Sequence, residues 1–115
     1  IPTNLIPKCP DDNSDMTTNL RIDDSFVEDE GWHKASEAYY NFLEENKNKH
    51  ILFLELGVWA NTPMIIKFPF WQMTIENEKA VYACINYGEV FCPQEIEDRS
   101  ICIDGDIGSV LELIK

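Results

Sequence analysis

Two short apolar runs constrain the fold of this chain more than any other feature of its sequence. Residues 51–56 and 80–85 consist mostly of aliphatic and aromatic side chains, and both are too short for a helix of ordinary length. Such runs are typical of strands in a parallel sheet, and the near-continuous apolarity of residues 51–56 predicts a strand covered on both faces. Gly57 ends the first run and Asn86 follows the second.

Helical patterns alternate with these runs. A helix is predicted over residues 32–48, because its apolar side chains recur at helical spacing and form one face. They are Trp32, Ala35, Ala38, Tyr39, Phe42 and Leu43. A second helix is predicted from residue 63 towards residue 72, because Pro63 suits a first helical position and Thr62 suits an N-cap. Pro69 should kink or break that helix.

The last part of the chain completes an alternating order. Residues 87–98 are predicted to form a loop, 99–103 a third strand, and 105–115 a closing helix that Asp104 or Asp106 can cap. The order helix–strand–helix–strand–strand–helix predicts an α/β fold with a parallel sheet and helical crossovers. Three strands make up about half of a doubly wound, Rossmann-type domain.

The first part of the chain differs in composition from the rest. Residues 1–31 hold two basic residues, three prolines and a set of acidic residues. The acidic residues are Asp11, Asp12, Asp15, Asp23, Asp24, Glu28, Asp29 and Glu30. We interpret residues 1–31 as an irregular acidic segment with a short extended piece at 19–22, and residues 32–115 as a partial Rossmann-type domain.

Charge and cysteine content limit the partners and the compartment. Nine Lys and Arg against 21 Asp and Glu give a net charge of −12. Nucleic acids and anionic membrane surfaces both attract clustered basic residues, so neither is expected as a partner. No apolar run approaches the ~20 residues of a membrane-spanning helix. Cys84 and Cys102 lie inside apolar runs rather than in a regular disulfide framework, which predicts reduced thiols and a cytoplasmic protein.

Two turns are candidate ligand sites. The turn after the first strand can bind phosphate if Asn61 and Thr62 add polar side chains to a helix N-terminus, and the alternative is a capped helix after a glycine turn. Asn86 lies at the carboxyl end of a strand, where ligands collect in open parallel sheets. Glu89 is spaced to reach a ribose hydroxyl, and the alternative is an ordinary turn.

Other polar residues carry weaker signals. Cys9 and Asp12 resemble half of a zinc knuckle, but structural zinc prefers four Cys or His ligands, so no zinc site is expected within this chain. His33 lies beside acidic residues at a helix start, and His50 follows a helix end, where the dipole favours it. We interpret both histidines as surface residues.

Seven short segments together give the chain a family resemblance. They are Ile6-Pro7-Lys8-Cys9-Pro10, Asn19-Leu20-Arg21, Phe26-Val27-Glu28-Asp29, Leu54-Glu55-Leu56-Gly57, Asn61-Thr62-Pro63, Ile85-Asn86 and Gly105-Asp106. In this order they resemble the carboxyl-terminal portion of a sirtuin. They are most similar to the divergent branch that includes the macrodomain-linked bacterial sirtuins.

The resemblance implies a Rossmann-type NAD domain with a small zinc module. Sirtuins transfer ADP-ribose from NAD to an acyl-lysine and so deacylate proteins, whereas the divergent branch is associated with protein ADP-ribosylation. This chain would supply the adenosine side of the NAD site. The cofactor-binding residues implied are Gly57, Asn61, Thr62, Asn86, Glu89, Asp106 and Ile107. Phe26 and Val27 match the family's extended segment that pairs with the substrate peptide.

The chain also departs from the family pattern. Gly57-Val58-Trp59 stands where sirtuins have Gly-Thr-Ser, and Val27 stands where many have Gly. The family's glycine-rich NAD loop and catalytic histidine precede this region, so no catalytic residue is assigned. We expect a piece of a larger enzyme, with NAD or ADP-ribose, an acylated or ADP-ribosylated protein, and the missing amino-terminal half or a second copy as partners. The alternatives are a non-catalytic nucleotide- or protein-binding module and a plain structural domain.

Overall fold

The computed structural model describes residues 2–22 and 24–114. The helices and strands, in chain order, are α1 (Glu30–Asn46), β1 (Leu52–Leu56), α2 (Lys67–Glu76), β2 (Val81–Asn86), β3 (Ser100–Asp104) and α3 (Ile107–Leu113), with two 3-10 helices at Thr3–Leu5 and Gln94–Arg99. The chain divides after Tyr40, within α1, into two compact units. None of the helices in the described ranges is long and apolar enough to cross a membrane.

The unit that ends at Tyr40 contains the 3-10 helix at Thr3–Leu5 and is otherwise irregular until α1 begins. Lys8 and Asp15 form an isolated antiparallel bridge and an ion pair that closes a turn. The expected extended piece at 19–22 is wrong, because Arg21 and Ile22 lie in a turn. The acidic residue Asp23 lies outside the described residues.

Helix α1 begins two residues before its predicted start. The Asp29 carboxylate accepts a hydrogen bond from the backbone N–H of Trp32 at 2.7 Å. An acidic cap of this kind satisfies a free N–H group and favours the positive end of the helix dipole. The sequence prediction of this helix, and of acidic residues at its start, is therefore confirmed.

The three strands form one parallel sheet in the order β1-β2-β3. Leu52 pairs with Val81 at the start of β1, and Leu56 pairs with Ile85 at its end. Strand β3 lies in parallel register on the other side of β2. Parallel neighbours need a crossover, which α2 supplies between β1 and β2. The prediction of an α/β fold with a partial Rossmann-type parallel sheet is confirmed.

Helix α2 starts later than the sequence predicts. It begins at Lys67, and Thr62 and Pro63 lie in the preceding turns, so the predicted N-cap and first helical position are wrong. Pro69 is the third residue of the helix, where its missing N–H would have no intrahelical partner. The proline is therefore compatible with the first turn and does not break the helix.

Strand β1 is covered on one face only. Phe53 and Glu55 are 6% and 1% exposed, whereas Leu52, Leu54 and Leu56 are at least 41% exposed. Side chains alternate between the two faces of a strand, and α2 covers just one of them. The prediction that both faces are covered is therefore wrong for the described chain.

The predicted loop at 87–98 contains the second 3-10 helix. Ile96 within it is fully buried, and the Ser100 hydroxyl donates to the Ile96 carbonyl at 2.7 Å. Arg99, predicted to start the third strand, ends this helix instead. Its guanidinium donates to the carbonyls of Thr74 and Asn77 at 2.7 and 3.0 Å, which satisfies the carboxyl end of α2.

The core lies between the sheet and the helices on the covered face. Phe53, Ala80, Tyr82, Cys84 and Ile96 form its buried cluster, and side chains from α1 and α2 pack against it. The Phe53 and Phe70 rings lie 5.1 Å apart between centroids. These contacts pack one face of β1 and β2 against the helices and so fix the positions of the strand ends.

We predict that Ile96→Ala lowers the free energy of unfolding by about 2–5 kcal/mol, because it leaves a cavity in this core. Ile101→Ala is the matched control, since the same change at a residue that is 52% exposed should cost well under about 1 kcal/mol. Urea unfolding followed by circular dichroism measures both. Equal losses for the two variants would contradict this position of the core.

Candidate functional site

The carboxyl ends of the three strands meet at one edge of the sheet. Gly57 follows β1, Asn86 ends β2, and Gly105 follows β3. The Gly57 N–H donates to the Ile85 carbonyl at 3.0 Å, and the Gly105 N–H donates to the Asn86 carbonyl at 2.9 Å. In an open parallel sheet this edge is where ligands bind.

Asn86 organises the loops around it. Its side chain is almost fully buried, and its amide nitrogen donates to the carbonyls of Val58 and Glu89 at 3.2 and 3.4 Å. The amide oxygen accepts from the Tyr87 N–H at 2.8 Å. One side chain therefore joins the loop after β1 to the loop after β2, and its amide group is engaged by the protein itself.

Glu89 holds the turn that carries Asn61 and Thr62. One of its carboxylate oxygens accepts from the Ala60 N–H at 2.8 Å, across 29 residues of sequence. The Thr62 hydroxyl lies 3.5 Å from the Asn61 side-chain oxygen, and both side chains are exposed. The turn therefore presents two polar side chains to solvent beside the strand ends.

Gly57 lies against the start of α3. Its φ of +68° is in the left-handed region, which favours glycine. A Cβ atom at Gly57 would lie 3.2 Å from the terminal methyl of Ile107, so the position is also sterically tight. This contact brings the loop after β1 together with the residue that begins α3.

Asp106 caps α3. Its carboxylate accepts from the Ser109 N–H at 2.9 Å and from the Ser109 hydroxyl at 3.0 Å. These hydrogen bonds lower the pKa of Asp106 below its ordinary value, the backbone bond contributing most. The prediction that Asp106 or Asp104 caps this helix is confirmed for Asp106. Asp104 instead accepts from the Gly88 N–H at 2.8 Å.

The seven sequence-predicted cofactor residues thus lie at the carboxyl ends of the strands or in the segments that follow them, with Asn86 as the last residue of β2 and Ile107 as the first residue of α3. Cofactor binding by them stays a prediction. The two histidines, His33 and His50, are exposed, as interpreted from the sequence.

Phe26 and Val27, the predicted substrate residues, lie in the unit that ends at Tyr40. The Asn19 side chain donates to the Val27 carbonyl at 2.8 Å and accepts from the Val27 N–H at 2.9 Å. The Arg21 guanidinium lies 4.4 Å from the centre of the Phe26 ring. Val27 also lines a cavity of about 450 Å³ beside Trp32. Both backbone polar groups of Val27 are therefore engaged by Asn19 here.

The turn at residues 8–15 contains the predicted half of a zinc knuckle. The Asp12 carboxylate accepts from the Ser14 N–H at 3.0 Å, and this bond is the main cause of its lowered pKa. Within residues 2–22 and 24–114, no three His, Cys, Asp or Glu side chains are arranged to hold a metal ion. Cys9 and Asp12 therefore do not fit a zinc site formed within the described chain.

Sequence reasoning missed a buried polar cluster next to the strand ends. Glu55 and Lys67 form an ion pair at 2.5 Å, and both side chains are fully buried. The Tyr82 hydroxyl donates to Glu55 at 2.7 Å, and the Cys84 thiol lies 3.4 Å from it. Glu55 and Lys67 are each a single charged residue inside an apolar run, and that pattern is the signal that could have identified them.

Burial sets the protonation of the two other groups in this cluster. It raises the pKa of the Tyr82 hydroxyl, and the hydrogen bond to Glu55 raises it further. Burial also raises the pKa of the Cys84 thiol, and the negative charge of Glu55 raises it further. Both groups are therefore hydrogen-bond donors at neutral pH rather than nucleophiles.

We predict that the cap on α3 weakens in acid. A lowered pKa in the folded state means that the stabilisation by Asp106 is complete above the ordinary carboxyl pKa and is lost as pH falls through the lowered value. Thermal melts from pH 7 to pH 2 should show a smaller acid-induced loss in Asp106→Asn than in the unmodified chain. Identical pH profiles would contradict the role of this carboxylate.

We also predict that Glu89→Ala makes local opening of the turn around Ala60 more frequent. Loss of one hydrogen bond worth about 1 kcal/mol should speed amide exchange of Ala60 about fivefold. Glu89→Gln keeps an acceptor oxygen and is the matched control, which should exchange nearly as slowly as the unmodified chain. Equal exchange rates in all three proteins, measured by NMR, would show that Glu89 does not hold the turn.

Comparison with known proteins relates the chain to enzymes of ADP-ribose chemistry, although no protein-family model matches it. A protein ADP-ribosyltransferase of Staphylococcus aureus is 35% identical over 112 residues, which are 96% of this chain and 36% of that protein. A probable bifunctional ADP-ribose hydrolase/ADP-ribosyltransferase of Fusarium oxysporum f. sp. cubense is 36% identical over 77 residues, 63% of this chain and 12% of that protein. The chain thus spans only part of the length of either relative. The chain is therefore similar to parts of two proteins that are named for ADP-ribose transfer.

Proposed function

We propose that this chain supplies the adenosine side of an NAD site in a sirtuin-like enzyme that transfers ADP-ribose to protein. The observation that carries the proposal is the convergence of Gly57, Asn86 and Asp106 at the carboxyl edge of a parallel sheet. The relatives named ADP-ribosyltransferase support the same chemistry. NAD would be the source of the ADP-ribose group in such an enzyme.

The geometry suits a nucleotide in several ways. Gly57 has no side chain, so the backbone after β1 can approach a ligand closely beside Ile107. Asn61 and Thr62 present exposed polar side chains on the adjoining turn, suited to hydrogen bonds with ribose or phosphate oxygens. Asp106 and Ile107 would lie beside the adenine. They would offer their backbone polar groups and an apolar surface to the base.

Two of the proposed residues act by shaping the site. Asn86 and Glu89 use their polar atoms to hold the loops after β1 and β2 together. One Glu89 carboxylate oxygen bonds Ala60, and the other would accept from a ribose hydroxyl. The adenosine side would therefore be preorganised before the nucleotide arrives, which lowers the entropy cost of binding.

The rest of the enzyme's activity belongs to the same proposal. Protein ADP-ribosylation is preferred over deacylation, because the relatives are named for the former. Phe26 and Val27 would contact the protein substrate, acylated or ADP-ribosylated. Catalytic groups would come from polypeptide outside this chain, either an amino-terminal half or a second copy. We propose the cytoplasm as the compartment, from the cysteine pattern of the sequence.

One observation favours a second candidate, a non-catalytic nucleotide- or protein-binding module. The side chains around the strand ends are acidic, amide, hydroxyl and apolar, and both histidines lie elsewhere in the chain. Such a site can hold a nucleotide, and it has no histidine to act as a general base. Binding of ADP-ribose fits both candidates, whereas turnover of NAD by an assembly that contains this chain fits the first alone.

Calorimetric titration of the 115-residue chain with ADP-ribose tests the nucleotide site. We expect saturable binding that Gly57→Ala weakens strongly, because the new Cβ meets Ile107 and the positive φ disfavours it. Gly88→Ala is the matched control, since Gly88 shares a positive φ of +79° but has open space around it. No heat at millimolar ADP-ribose, or equal effects of the two variants, would overturn the proposed site.

A further inference from the structure

The buried ion pair lies at the two ends of the loop that carries three of the proposed cofactor residues. Glu55 is two residues before Gly57, and Lys67 is the first residue of α2. The pair is bonded at 2.5 Å and closes the intervening segment, which includes Asn61 and Thr62. Bringing the two ends of this loop together removes conformations in which the loop spreads away from the sheet.

Contacts from neighbouring side chains hold the ion pair of Glu55 and Lys67 in place. The Glu55 carboxylate accepts from Lys67 and from Tyr82, and the Cys84 thiol lies near the oxygen that Lys67 binds. The Lys67 ammonium lies 5.8 Å from the centre of the Trp71 ring and 5.1 Å from that of Phe91. Cation–π contacts of this kind partly replace the lost hydration of the ammonium group.

A contribution to stability alone does not explain why two charged side chains are buried at this position. Removing two charges from water costs several kcal/mol per ion, and apolar residues of similar volume often stabilise a core equally well. Ion pairs of this type are best attested where they specify one arrangement against others. The arrangement specified here is the position of the loop from Gly57 to Lys67 over the sheet.

A series of contacts connects the buried ion pair, through Cys84, with the candidate site. Cys84 lies on β2 two residues before Asn86, and side chains two apart share a face of a strand. The Cys84 sulfur is 4.0 Å from the Glu89 carbonyl oxygen, the same atom to which the Asn86 amide donates. The Glu89 carboxylate in turn holds Ala60. The chain of contacts thus runs from the ion pair to the middle of the loop that it closes.

We propose that Glu55 and Lys67 are positioning residues, whose buried ion pair holds the loop after β1 in the conformation that binds the nucleotide. The inference rests on the proposed nucleotide site and adds the device that sets its geometry. Apparent affinity falls in proportion to the fraction of molecules whose loop is in the binding conformation. The pair therefore acts on affinity through the loop and makes no contact with the ligand itself.

The double variant Glu55→Leu/Lys67→Met separates positioning from stability. It replaces both charges with apolar side chains of similar volume and leaves neither charge unpaired, so the chain should stay folded. The Tyr82 hydroxyl loses its acceptor, which lowers the free energy of unfolding by about 1–3 kcal/mol, so binding is measured well below the melting temperature. If the loop then adopts the binding conformation a tenth of the time, ADP-ribose should bind about tenfold more weakly. Amide exchange at residues 57–66 should become faster in the same variant, whereas β2 should remain protected.

Ile96→Val is the matched control, because it loosens the same core without touching the pair. It should lower the melting temperature and leave ADP-ribose affinity unchanged when measured well below that temperature. Should the double variant fail to fold, Glu55→Gln/Lys67→Met, which also removes both charges but keeps an acceptor oxygen for the Tyr82 hydroxyl, is titrated in its place. Affinity equal to the unmodified chain in a folded pair variant would overturn the inference.

The same experiment distinguishes the two proposals. If the unmodified chain does not bind ADP-ribose, the proposed function fails, and faster exchange at residues 57–66 in the double variant still supports the loop-holding role. If the unmodified chain binds and the double variant binds equally well, the positioning role fails and the nucleotide site stands.

Discussion

Parallel pairing of β1, β2 and β3 is the constraint on which the candidate site depends. Because the strands run in one direction, the residues that follow them meet at one edge of the sheet. Gly57 and Gly105 are far apart in the sequence, but their N–H groups donate there to the carbonyls of the adjacent residues Ile85 and Asn86. An antiparallel β2 would place Asn86 at the opposite edge from Gly57 and Gly105.

Side chains, rather than regular structure, hold the loops at this edge. Asn86 joins two loops through its buried amide, Glu89 holds the turn at Ala60, and Asp106 caps α3. Each of these residues saturates a backbone polar group that would otherwise need water or a ligand. The loops are therefore held together by the protein's own side chains.

The core next to this edge contains both apolar side chains, which exclude water, and a buried ion pair, which loses its hydration. The covered face of the sheet excludes water, which stabilises the fold through burial of Phe53, Tyr82 and Ile96. The same exclusion of water makes the ion pair of Glu55 and Lys67 costly unless every polar atom is well partnered. Tyr82 contributes to both, because its ring fills the core and its hydroxyl bonds to Glu55.

Much of the architecture could be predicted from local pattern. The spacing of apolar residues predicted three strands and their alternation with helices, because a buried strand and an amphipathic helix each impose a recognisable period. Polar residues placed just after predicted strands, such as Asn86, could likewise be assigned to one edge of the sheet. Helix starts were less predictable: α2 begins at Lys67, which pairs with Glu55 on the sheet, whereas the expected cap Thr62 is exposed before it.

Local pattern was enough to predict the fold class, the order of elements and the positions that follow the strands, and composition alone established the acidic charge. Only the tertiary structure decided which face of β1 is covered, that Asn86 and Glu89 hold loops, and that Glu55 pairs with Lys67. The physical reason is that period and composition are local properties of a chain. The partner of a buried charge or a free N–H group is set by residues far away in sequence, which folding alone brings into contact.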